Sequence, residues 1–113
     1  MEYDYFSITL DVSANTKEHP EKVLFLSVIL QALLDATKTK SKVESSQTSV
    51  ERERARAWFF CSVGVTCENF ENVCQNAGLD PSYTRSFAYE VINSKEIGYV
   101  RQKIKRVLDK SRR

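Results

Sequence analysis

Four consecutive residues, at positions 78–81, most constrain how this chain can fold, because they end one helix and begin another. Gly78 can adopt the left-handed backbone conformation that commonly terminates a helix. Asp80 is a favourable N-cap, and Pro81 then occupies the first helical position, where an amide N–H is not required. The sequence therefore predicts two helices joined by a turn of three or four residues within residues 66–93.

In the segments on either side of this turn, small or apolar residues recur at helical spacing. Before the turn, one face carries the small or apolar residues Cys67, Phe70, Val73, Cys74 and Ala77. After the turn, the residues that we expect to point inward are Thr84, Phe87, Ala88, Val91 and Ile92. Both predicted helices are therefore amphipathic, and each has one face to bury.

Residues 23–36 form the most apolar run of the chain and predict a helix from about residue 18 to residue 37. Apolar side chains cover almost its whole circumference, so this helix must be central or must contact a second subunit. Because 113 residues leave limited interior to surround it, we expect a homodimer formed through residues 23–36. The run is shorter than the roughly 20 apolar residues of a membrane-spanning helix, and no membrane association is expected.

Residues 1–19 are predicted as an extended segment that contains a short strand. In it, Phe6, Ile8, Leu10 and Val12 alternate with polar residues, which is typical of a half-buried β-strand. Since a single strand needs a partner, three interpretations are open. The strand could pair with its copy in a dimer, lie extended across the helices, or be an additional helical turn.

The remaining segments complete a mainly α fold. Residues 38–49 are charged and polar without an apolar period, and they are predicted as a mobile loop. Thr48 and Glu51 fit a capping box, so the following helix should begin near Val50. Residues 95–113 are predicted as a basic helix and tail. We therefore expect one domain, residues 1–113, built as a small bundle of about five helices with the two-helix unit inside it.

The small net charge of the chain conceals an uneven distribution. From Lys95 onward the chain has eight Lys or Arg residues and only two acidic ones, Glu96 and Asp109, so the net charge of this region is +6. Since the whole chain carries +2, residues 1–94 carry −4. A basic C-terminal region of this kind favours an anionic partner, and the alternative is a solvated tail.

The sequence offers no convincing catalytic or metal site. The single histidine, His19, lies in a polar connector without a group to orient it. The spacings of Cys61, Cys67 and Cys74 do not match a zinc-binding pattern, and no glycine-rich phosphate loop is present. We expect neither an enzyme nor a bound metal or cofactor. The odd number of cysteines and an acidic, aromatic N-terminus favour the cytoplasm.

Residues 70–89 resemble the helix-turn-helix signature of bacterial and phage regulators. Cys74 stands where that signature has a small residue between the helices, and Gly78 matches the turn glycine. Val73, Leu79 and Phe87 fill its apolar positions, whereas Thr84 replaces a branched apolar residue. The resemblance implies a DNA-binding protein, namely a small transcriptional regulator of bacterial or phage and mobile-element origin that binds double-stranded DNA.

The resemblance also implies which residues would contact DNA. The second helix would place Ser82, Tyr83, Arg85, Ser86 and Tyr89 in the major groove, with Arg85 suited to guanine. Thr66 and Asn69 would contact phosphate, and the C-terminal helix would add salt-sensitive attraction through Lys95, Arg101, Lys103, Lys105 and Arg106. The alternative function is a non-enzymatic protein-binding module: an adaptor, an inhibitor, or a phage-type modulator of a host protein.

Overall fold

The regular elements of the described part of the chain are α-helices. The computed structural model describes residues 20–38, 45–61 and 64–111, and in these ranges it contains five helices and no strand. The helices are α1 Pro20–Ala36, α2 Ser46–Phe60, α3 Val65–Asn76, α4 Pro81–Ile92 and α5 Ile97–Ser111. This confirms the predicted mainly α bundle of about five helices. The predicted N-terminal strand lies outside the described residues.

Helix α1 is the centre of the bundle and contacts all four other helices. Its buried residues are Val23, Leu26, Ile29, Leu30, Leu33, Leu34 and Ala36. Among its large apolar side chains, only Leu24 and Val28 are exposed. Intramolecular burial thus accounts for most of its apolar circumference, and the homodimer stays a prediction. None of the described helices is both long and apolar enough to span a membrane.

Helix α2 begins earlier than the sequence predicted. The Ser45 hydroxyl accepts a hydrogen bond from the Thr48 N–H at 3.2 Å, so Ser45 is the N-cap and the helix begins at Ser46. The predictions of a Thr48 cap and a start near Val50 were therefore wrong. Two hydroxyl residues compete to cap this helix, and capping from Ser45 adds a further helical turn. Residues 46–49 consequently belong to α2 and not to a loop, while residues 39–44 lie outside the described ranges.

Two other helix starts also differ from their predicted positions. Helix α3 begins at Val65 after Gly64, whose φ is +91°, so Thr66 is inside the first turn and is not the N-cap. Only glycine adopts this backbone conformation readily, which explains why Gly64 starts the helix. Helix α5 begins at Ile97, two residues after the predicted Lys95.

Arginine side chains from other helices satisfy the C-terminal carbonyls of α1. Arg101 of α5 donates to the Leu34 carbonyl at 2.5 Å and to the Thr37 hydroxyl at 2.6 Å. Arg56 of α2 donates to the Ala36 carbonyl at 2.9 Å. The last turn of α1 contains no basic residue of its own. The arginines therefore supply both hydrogen bonds and positive charge at the negative end of the helix dipole.

We predict that Arg101→Met destabilises the fold by about 1.5–3 kcal/mol, because hydrogen bonds from a charged donor to the end of α1 are lost. The measurement is urea unfolding followed by far-UV circular dichroism. Arg106→Met is the matched control, since Arg106 lies on the same helix and is exposed. The control should change the free energy of unfolding by no more than about 0.5 kcal/mol. Equal losses in the two variants would contradict this role of Arg101.

Candidate nucleic-acid interface

The turn between α3 and α4 has the local structure that the sequence predicted. Gly78 has a φ of +76°, and its N–H donates to the Gln75 carbonyl at 3.0 Å. The next amide, that of Leu79, reaches back to the Cys74 carbonyl at 2.9 Å, which closes α3 in a Schellman motif. The Asp80 carboxylate accepts from the Tyr83 N–H at 2.8 Å and caps α4. These bonds fix the direction in which α4 leaves the turn.

Aromatic rings pack the two-helix unit against α2. The Phe70 ring meets Phe59 and Trp58 edge to face, with centroid distances of 5.8 and 5.0 Å. Phe59, Phe70 and Phe87 are almost completely buried. Aromatic contacts therefore hold α2 and α3 together, and the buried Phe87 ring of α4 belongs to the same core.

Thr84 shows why a polar residue is tolerated at an apolar position of the helix-turn-helix pattern. It is fully buried. Its hydroxyl donates to the Asp80 carbonyl at 2.9 Å, so its polar atom has a partner inside the same helix. A buried hydroxyl with a hydrogen bond does not carry the free-energy cost of an unsatisfied one.

Arg85, the predicted guanine contact, is engaged inside the protein. Its Nε donates to the Phe59 carbonyl at 2.8 Å, and its guanidinium carbon lies 5.1 Å from the centre of the Phe70 ring. Phe59 is in the last turn of α2, so this bond satisfies a helix-end carbonyl. Arg85 thus fixes α4 to α2, and it would have to leave both contacts to reach a base.

The outer face of α4 is polar and carries little charge. Ser82 and Tyr89 are exposed, the latter by 60%, while Tyr83 and Ser86 are half-buried. A shallow groove of about 340 Å³ lies beside this face, lined by Phe60, Arg85, Ser86, Tyr89 and Glu90. Phe60 and Glu90 are not among the site residues predicted from the sequence. Glu90 adds a negative charge where a DNA-binding surface would favour a positive one.

The two predicted phosphate contacts on α3 differ in their surroundings. Both Thr66 and Asn69 are exposed. The side-chain oxygen of Asn69 accepts from the Trp58 indole N–H at 2.8 Å, which holds the amide in place. Asn69 is therefore an oriented surface group whose position depends on Trp58.

The cations of the C-terminal region separate into surface and structural groups. Lys95, Lys105 and Arg106 are exposed. Lys103 is half-buried, and its ammonium lies 5.1 Å from the centre of the Tyr99 ring, an ordinary cation–π distance. Arg101 points to the end of α1 and contributes to the fold. Helix α5 packs mainly on α1 and also contacts α4.

The spacing of residues along the helices indicates which arginines have a structural role, whereas composition does not. Arg52 is only 2% exposed and shares a buried face with Ala55 and Phe59, three and seven residues later. Arg101 likewise precedes the buried Ile104 and Leu108 at the same spacings. A cation on an apolar face at helical spacing indicates an internal hydrogen-bonding role.

The two buried cysteines are held as thiols. Cys67 donates to the Glu71 carboxylate at 3.3 Å, and this hydrogen bond together with burial raises the pKa of the Cys67 thiol. Burial raises the pKa of the Cys74 thiol as well. A reactive cysteine requires a lowered pKa, so neither has the setting of a nucleophile. Within the described residues, no three Cys, His, Asp or Glu side chains come together as a metal site.

Comparisons of this chain with protein-family models, with curated proteins and with solved structures found no match. The roles assigned below therefore rest on the side chains and helices of this chain.

We predict that Arg85→Met lowers the free energy of unfolding by about 1–3 kcal/mol, because the Phe59 carbonyl loses its charged donor. Arg54→Met, on the exposed side of α2, is the control and should have little effect. The comparison uses urea unfolding monitored by circular dichroism. A variant as stable as the wild type would show that Arg85 is dispensable for the fold.

We also predict an order of thiol reactivity in the native protein. Cys61 is half-buried, whereas Cys67 and Cys74 are buried with raised pKa values. Iodoacetamide at neutral pH should therefore modify Cys61 first, since only the thiolate is alkylated. Mass spectrometry of timed samples gives the order, and Cys61→Ser should remove the fast phase. Early modification of Cys74 would contradict the burial of the α3–α4 contact.

Proposed function

We propose that the protein binds double-stranded DNA as a small helix-turn-helix transcriptional regulator, with α4 as the reading helix. The observation that carries the proposal is the capped turn at residues 77–80, which presents the outer face of α4 with Ser82 and Tyr89 exposed. In helix-turn-helix proteins the N-terminal residues of the second helix contact base edges in the major groove.

Base contacts in this proposal come from hydroxyl groups. Ser82 and Tyr83 lie in the first turn of α4, and Ser86 and Tyr89 follow on its outer face. Serine can pair with several bases, so such contacts discriminate less than a bidentate arginine contact. Arg85 acts as a positioning residue that sets the angle of α4. Sequence preference is accordingly expected to be modest.

The attraction to phosphate comes from α5 and the residues before it. Of the predicted cations in this region, Lys95, Lys105 and Arg106 are exposed, and Lys103 is half-buried with its ammonium near the Tyr99 ring. Four phosphate contacts correspond to a slope of about −3.6 in a plot of log affinity against log salt concentration. Asp80 and Glu90 oppose binding on α4, so affinity depends on the position of α5 against the duplex.

A second candidate function is supported by the aromatic groups beside α4. Phe60 is 38% exposed and lines the 340 Å³ groove together with Tyr89. Exposed aromatic residues are enriched at protein–protein interfaces. A protein-binding module, acting as an adaptor, an inhibitor or a modulator of a host protein, would use this groove as its contact surface.

We predict binding to a mixed-sequence duplex of about 25 base pairs with a salt slope of about −3.6, measured by fluorescence anisotropy. Lys105→Ala should reduce the magnitude of the slope by about 0.9, because one phosphate contact is lost. Arg54→Ala removes an exposed cation from α2 and should leave the slope unchanged. Absence of binding even at about 50 mM salt would refute the DNA proposal and leave the protein-binding candidate.

A further inference from the structure

A second groove of the described bundle lies between α1 and α2, away from the outer face of α4. Its volume is about 780 Å³. The apolar side chains that line it include Val23, Leu24, Val28, Ala32, Ala55 and Trp58. Leu24 is 62% exposed and Val28 is 42% exposed, although both belong to the central helix. The groove is therefore an apolar surface without a covering element among the described helices.

The size of this surface favours a short peptide segment over a second subunit. A stable protein–protein interface buries about 800 Å² on each partner. Two exposed apolar side chains, one helical turn apart on α1, supply only a small part of such an area. One extended segment, which directs every second side chain to the same face, would suit an apolar groove of this size.

The chain itself supplies such a segment in the sequence that precedes α1. Pro20, the first residue of α1, lines one end of the groove, and Asp35 lines the other end. This length of helix spans roughly 22 Å at 1.5 Å per residue. Residues 6–12, in which Phe6, Ile8, Leu10 and Val12 alternate with polar residues, would span roughly 20–23 Å when extended.

The remaining seven residues, 13–19, are long enough to join this segment to Pro20. They reach at most roughly 23–25 Å, so the chain can reverse direction and return along α1. Their sequence, SANTKEH, is polar and suits a connection at the protein surface. The tether also keeps the segment at a high effective concentration near the groove, which favours contact within one chain.

Charges at the groove are compatible with an acidic segment. Lys38 forms ion pairs with Glu51 and Asp35, at 2.5 and 3.5 Å, which neutralise part of the acidic rim. Arg54 also lines the groove and is exposed. Residues 1–19 carry four acidic side chains against one lysine, a net charge of −3. The exposed guanidinium of Arg54 thus places a positive charge at the groove, where it would attract an acidic segment.

We propose that residues 6–12 of the same chain bind in the α1–α2 groove, with Phe6, Ile8, Leu10 and Val12 against Leu24, Val28 and Trp58. The polar residues between them face solvent, where water satisfies the outer backbone groups. The proposal concerns an intramolecular surface and does not depend on DNA binding.

The only tryptophan of the chain, Trp58, lines the groove and reports directly on its occupancy. The test compares two full-length double variants, Ile8→Asp with Leu10→Asp and Ser7→Asp with Thr9→Asp. Both pairs add the same charge at neighbouring positions, but only the first pair changes the apolar face of the alternation. We expect the first pair to raise the acrylamide quenching constant of Trp58 by roughly twofold and to shift its emission to the red, because the indole becomes exposed to water. The second pair should leave both values unchanged.

Other outcomes overturn the proposal. Equal quenching in the wild type and both variants would show that the segment does not cover Trp58. Quenching that rises on dilution of the wild type, together with a dimeric mass by light scattering, would assign the groove to a second copy. The milder variants Leu10→Ala and Thr9→Ala provide a test that does not depend on whether the aspartate variants fold. Only Leu10→Ala should increase quenching, with an unchanged helical signal.

Discussion

The carbonyl groups that end α1 are the constraint on which the rest of the structure depends. A helix that is apolar on nearly every side has to lie inside the bundle, so its C-terminal carbonyls meet protein instead of water. Arg56 from α2 and Arg101 from α5 supply the missing donors, and Arg52, itself buried, lies 3.5 Å from the Lys38 carbonyl. The same side chains that satisfy α1 therefore hold α2 and α5 against it.

The end of α2 follows the same principle with a functional consequence. Arg85 satisfies the Phe59 carbonyl and stacks on Phe70, so the most basic group of α4 serves the fold. The predicted DNA-binding surface is less positively charged in three dimensions than in the sequence, because two of its arginines, Arg85 and Arg101, are directed inward. If the protein binds DNA, the predicted cations that would attract it are Lys95, Lys103, Lys105 and Arg106, with α4 contributing mainly shape and hydroxyl groups.

The predictability of each feature depends on how local its physical cause is. The stop at Gly78 and the start at Pro81 follow from four adjacent residues and were predicted correctly. The starts of α2 and α3 were misplaced because Ser45 and Gly64 compete with nearby Thr48 and Thr66, and local propensity does not decide between them. The acceptors of Arg85 and Arg101 could not be predicted, because they lie 26 and 67 residues away in the chain.

The two surfaces of the bundle meet at consecutive residues of α2. Trp58 lines the α1–α2 groove, while the carbonyl of Phe59 receives the hydrogen bond that positions α4. The Trp58 indole also donates to Asn69 and contacts Phe70, both on α3. Rotation of the indole would therefore disturb α3 directly, and it would disturb α4 through the Phe70 ring on which Arg85 stacks. Because densely packed interiors transmit such changes, this aromatic cluster connects the wall of the groove to α4.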